Sequence, residues 1–87
     1  MLKQNFVINH PEGLYVGAAG VLIKGMTPFK SNVTINYNGR SINGKSLLSI
    51  MSVYIKCGEE IELVIDGEDE AAAMNCATAL FESGLKE

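Results

Sequence analysis

The chain has 87 residues, enough for a single domain over residues 1–87 with one modest core, burying about 60% or slightly more of its unfolded surface. With 47% hydrophobic residues, 20% charged residues and a net charge of −3, it presents no basic field for nucleic acid or anionic lipid. The 11 uncharged residues between Glu12 and Lys24 fall short of the about 20 that a membrane span needs, and no basic region with an apolar run opens the chain, so a cytoplasmic protein is expected.

The chain opens with an alternation in which Leu2, Gln4, Phe6 and Ile8 share one side and Lys3, Asn5 and Asn9 the other, the pattern of a half-buried strand. His10-Pro11-Glu12-Gly13 reads as a turn. From Val16 to Met26, Ala19, Leu22, Ile23 and Met26 recur at helical spacing, with Gly25 and Pro28 marking the exit. Val33, Ile35 and Tyr37 then alternate with Thr34 and Asn36 as far as Asn38-Gly39, a pair suited to a type I′ turn, and Arg40 to Asn43 returns as the second strand of a hairpin. Ser46 precedes the apolar cluster Leu47, Leu48, Ile50 and Met51, which predicts a short helix of about two turns with Ser46 as its N-cap, ending by Lys56-Cys57-Gly58. Ile61, Leu63 and Ile65 alternate with Glu60, Glu62 and Asp66 in a fourth strand closed by Gly67. A last helix, entered through Glu68, Asp69 and Glu70 at its positive dipole end, carries Ala73, Met74, Ala77, Leu80 and Phe81 on one face and runs to about Ser83. The order strand, helix, strand, strand, helix, strand, helix predicts an α+β sandwich with one helical layer on a mostly antiparallel sheet.

Cys57 and Cys76 form no C-x-x-C or Cys/His cluster, so neither a zinc site nor a redox dithiol is expected, and no metal or cofactor is called for. No Ser, Tyr or Cys has a base in a recognisable constellation, which argues against an enzyme.

Three stretches carry a resemblance that extends nearly from end to end. "GLYVGAA" resembles the G-L-H-x-R-P-A of the HPr family, the small phosphocarriers of the bacterial phosphoenolpyruvate-dependent sugar phosphotransferase system. "YNGRSINGKSLLSIMS" resembles that family's hairpin and following helix, and "GEDE" its last helix start. The resemblance implies an open-faced sandwich, a four-stranded antiparallel sheet in the order 1-4-2-3 covered on one face by three helices. It also places Tyr15 where the family has its phosphoryl-accepting histidine, Gly17 where it has an arginine, and Ala18 where it has a proline. A phenol does not replace the imidazole, because an aryl phosphate ester is a far poorer phosphoryl donor. His10, the only histidine, reads as a solvated strand-end residue with no role.

Two readings of Tyr15 stand: a residue that simply covers the helix start, or part of a docking surface with Ala19 and Gly20. At the second stretch, the resemblance implies that Ser46 is a regulatory phosphorylation site for an HPr kinase/phosphorylase, and that the product binds a LacI-type transcriptional regulator in carbon catabolite repression. Lys45, beside Ser46, would favour a phosphate there, whereas a plain cap is the alternative role for Ser46. Ile50 is assigned to the core, which leaves Leu47, Leu48 and Met51 as an apolar patch beside Tyr15 that could receive a partner. Two functions compete: a serine-phosphorylated regulatory module, and an unphosphorylated, degenerate phosphocarrier that docks on phosphotransferase or regulatory proteins.

Overall fold

Strand β1 (Leu2–Val7) lies at one edge of a four-stranded antiparallel sheet, and the computed structural model describes it together with the rest of residues 1–86. Helix α1 (Val16–Met26), strands β2 (Asn32–Tyr37) and β3 (Arg40–Asn43), helix α2 (Leu47–Met51), strand β4 (Glu60–Asp66) and helix α3 (Glu70–Glu82) follow. The strand order is β1-β4-β2-β3, and the helices pack on one face, as the resemblance implies.

Register follows the alternation. Phe6 lies opposite Ile61, Gln4 opposite Leu63 and Leu2 opposite Ile65, while Ile35 lies between Leu63 and Ile42. Residues directly opposite share a face, so the apolar positions of all four strands meet the helices. Leu2 and Gln4 are on that face but exposed, because the cover from α3 is over the Phe6 end, where Phe6 stacks on Phe81 with centroids 4.3 Å apart. At the β2–β3 turn, Asn38 and Gly39 both have positive φ, 50° and 77°, the backbone that a type I′ hairpin requires.

The helical layer closes over Leu22, Met26, Ile50, Ala73, Ala77 and Phe81, all buried. Helix α2 has five residues rather than the two full turns expected from its apolar cluster. The chain leaves the helix at Ser52, whose hydroxyl donates to the Ser49 carbonyl at 2.6 Å, and then delivers Ile55 fully buried to the core. The acidic start of α3 also differs from a simple helix cap. Asp69 is the N-cap residue but gives its own helix no side-chain bond. Its carboxylate reaches across to the loop after α1, accepting from the Lys30 N–H at 2.8 Å, the Ser31 N–H at 3.0 Å and the Ser31 hydroxyl. Cys57 is exposed, Cys76 is half-buried and both are free thiols. Among the described residues no helix is long and apolar enough to cross a membrane.

Candidate functional site

The mouth of α1 is built by a backbone strap. The Leu14 N–H donates to the Ile55 carbonyl at 2.8 Å, which ties the turn before α1 to the loop after α2. Gly13 has φ +76°, and a Cβ there would lie 2.3 Å from the same carbonyl oxygen. Only glycine meets both demands. The strap buries Leu14 completely and leaves Tyr15 as the N-cap residue of α1, with extended backbone, no side-chain cap bond and 52% of its surface exposed.

Tyr15 does not stand alone. Its ring meets that of Tyr54 edge to face, centroids 6.3 Å apart and planes at 78°, a favoured aromatic geometry. Lys56 Nζ lies 5.8 Å from the Tyr54 centroid. Nothing in the sequence marks Tyr54 as functional. It lies outside every periodic segment, and only the strap, a long-range contact, reveals that it neighbours Tyr15. Beneath it, the Tyr37 hydroxyl donates to the Glu59 carboxylate, which also accepts from the Lys56 N–H at 3.0 Å. The Tyr37 hydrogen bond, followed by the Lys56 amide, lowers the Glu59 pKa, and the same bond raises that of Tyr37.

The glycines of α1 differ from one another. Gly17 is exposed, and a Cβ on Gly17 or Gly20 would meet nothing within 4 Å. Gly20 is half-buried and lines a groove of about 370 Å³ with Val21, Lys24, Gly25 and Leu80. Ala19 is fully buried, which corrects its assignment to a docking surface. It shares the inward face of α1 with Leu22 and Met26, three and seven residues on, and no partner reaches it without unpacking the helix. Ala18 is buried as well. His10 remains in its own turn, its Nδ1 accepting from the Glu12 N–H at 3.1 Å.

Around α2, Ser46 is the N-cap, as expected, and its hydroxyl oxygen accepts from the Ser49 N–H at 3.3 Å. Ser46 is half-buried. Lys45 departs from the expectation that its charge would serve Ser46: the ammonium donates to the Phe29 carbonyl, and the residue lines a shallow groove along β2 and β3. Leu48 is 85% exposed and Leu47 42%, whereas Ile50 is fully buried. Met51 is half-buried, so the apolar patch of α2 is principally the two leucines. A five-residue helix has one inward direction, and Ile50 takes it. Among the described residues no group of three or more His, Cys, Asp or Glu side chains is placed to hold a metal ion.

Residues 2–83 match the family model described as the PTS HPr component phosphorylation site. The chain belongs to the HPr family. It is 36% identical over 87 residues to the phosphocarrier protein HPr of Xylella fastidiosa, covering all of this chain and 98% of that one. Its fold superposes on a crystal structure of HPr from Thermoanaerobacter tengcongensis with a TM-score of 0.94 at 26% identity, over 100% of this chain and 98% of the other. Crh of Bacillus subtilis, described as a catabolite repression protein and crystallised as a dimer with a swapped domain, aligns over the full length of both chains at a TM-score of 0.75 and 26% identity.

Proposed function

We propose that this HPr-like protein of the phosphotransferase system lacks the phosphoryl-accepting histidine, Tyr15 standing in its place, and acts as a regulatory module in carbon catabolite control. In this reading an HPr kinase/phosphorylase phosphorylates Ser46, and the product binds a LacI-type transcriptional regulator in the cytoplasm without touching nucleic acid or membrane itself. The observation that carries the reading is the contrast between the two ends of the surface. The N-cap of α1 is a phenol, Tyr15, while Ser46 keeps its N-cap position next to the exposed Leu47 and Leu48. The likeness to Crh supports it.

The chemistry at Ser46 is local. Its hydroxyl holds the Ser49 N–H by a long bond of 3.3 Å, which a phosphoryl oxygen can replace with a shorter, charge-assisted one. Phosphorylation adds about −1.5 to −2 charges at pH 7, beside two exposed leucines that offer a partner apolar contact. An arginine of that partner gains a bidentate anchor. Gly17 supplies no guanidinium and the Lys45 ammonium is engaged by Phe29, so the phosphate depends on the partner for its counter-charge and the complex is salt-sensitive.

That same lack of cations supports a second reading, an interaction domain that docks without being phosphorylated. Treatment with an HPr kinase, site mapping by peptide mass spectrometry and titration of both forms against a LacI-type regulator at two salt concentrations separate the two. The regulatory reading expects phosphate on Ser46 and tighter binding that weakens as salt rises. Phosphate elsewhere, or none, leaves the unphosphorylated docking domain.

A further inference from the structure

Glu12, Tyr15 and Tyr54 line a cleft of about 530 Å³. The two rings meet edge to face there, Tyr15 52% and Tyr54 60% exposed, and Glu12 is the third lining residue. The fold holds the two tyrosines in place before anything binds: the Leu14–Ile55 hydrogen bond and the tight approach of Gly13 to the Ile55 carbonyl tie the segment of one to that of the other. A site ordered in advance loses little freedom when it is filled.

We infer that this cleft is a docking pocket for an arginine side chain presented by a partner protein. Aromatic faces attract cations through their quadrupole, Glu12 adds a full negative charge, and the chain as a whole carries −3. The complement is a cation with a flat, weakly hydrated surface. A guanidinium stacks on one tyrosine face while its N–H fork engages the carboxylate, whereas a lysine ammonium offers no planar face and no fork. A cation already lies against Tyr54, the Lys56 ammonium at 5.8 Å, yet Lys56 is not among the residues lining the cleft. The corner between the rings is left to an incoming group. This inference goes beyond the regulatory reading and does not require a phosphate on Ser46.

The test uses the unphosphorylated protein, with the amide and ring resonances of Glu12, Tyr15 and Tyr54 followed by NMR during titration with acetyl-arginine amide. Acetyl-lysine amide and acetyl-glutamine amide serve as comparison probes. The expected result is saturable shifts at these three residues with the arginine probe, weaker binding of the lysine probe and none of the glutamine probe. Tyr54→Leu and Glu12→Gln each weaken the arginine probe by about two- to fivefold, with amide spectra otherwise those of the parent fold. Equal shifts from the glutamine probe, a lysine probe that binds as tightly, or unchanged affinity in both variants overturns the inference. So do shifts at the same residues on raising protein concentration alone, which would place a second copy of the chain in the cleft. Failure here leaves the Ser46 reading standing, and failure of kinase labelling leaves this one.

Discussion

Asp69 illustrates how one side chain joins two elements. It accepts three hydrogen bonds from Lys30 and Ser31, and Ser31 is a buried polar residue whose hydroxyl donates to it. These donors favour the ionised carboxylate, and the Ser31 hydroxyl is the largest cause of its lowered pKa. A carboxyl group whose folded pKa is depressed contributes stability that is complete above the ordinary carboxylate range and is lost as pH falls through the folded value. Asp69→Asn therefore melts at a lower temperature than the parent at neutral pH, because an amide has one acceptor oxygen and no charge for three donors. The gap narrows as pH falls below about 4, where the parent loses the same advantage. Thermal melts over an acid pH series check both the sign and the convergence. Glu59, lowered by the Tyr37 hydroxyl, adds to the same acid limb.

At the scale of elements, α1 and α2 each invite a direct experiment. Gly17→Ala and Gly20→Ala introduce a Cβ into open space, so each is expected to stabilise the helix by about 0.5–1 kcal/mol. Gly25→Ala brings its Cβ to 2.5 Å from Leu80 Cδ1 and gains nothing until that side chain moves. Urea midpoints of the three variants rank them. On α2, Leu48→Asp stays within about 0.5 kcal/mol of the parent, while Ile50→Asp buries an unpaired carboxylate, enough to unfold a small domain holding about 5 kcal/mol. Circular dichroism melts distinguish the two outcomes. These faces were legible in the sequence because periodicity is local: the Val16–Met26 helix, the Asn38-Gly39 hairpin, the Ser46 cap and the inward Ile50 all follow from spacing within a few residues. The partners chosen by loops were not. Leu14 meeting Ile55, Tyr15 meeting Tyr54, Lys45 turning to Phe29 and Asp69 crossing to Ser31 depend on where the chain returns after tens of residues, and no local period encodes that. Ala19 failed for a related reason, since a small residue near a helix mouth suits a contact surface and a packed face equally until the neighbouring helices are in place.

For the whole molecule, the accessible surface is 4876 Å², against about 5,000 Å² for an ordinary compact monomer of this mass. Packing has not been sacrificed with the loss of carrier chemistry proposed at Tyr15. The scaffold superposes on that of HPr, and in the proposed reading only side chains at the mouth of α1 set it apart from a phosphocarrier. Incubation with phosphoenolpyruvate and enzyme I, the general phosphotransfer protein of the phosphotransferase system, is therefore expected to leave the intact mass unchanged. Tyr15→His alone restores little transfer, and Tyr15→His with Gly17→Arg restores more, because a side chain at position 17 meets no obstacle within 4 Å of its Cβ and a guanidinium can fork onto phosphoryl oxygens. Equal labelling of the single and double variants would show that the arginine is not limiting. The sheet order has a different kind of consequence. Strand β4 lies between β1 and β2, and Leu2 finds its partner only at Ile65. During synthesis on the ribosome, then, only the β2–β3 hairpin can close early. The first strand must wait, its backbone edge open to other chains, until Glu60 to Ile65 have left the exit tunnel.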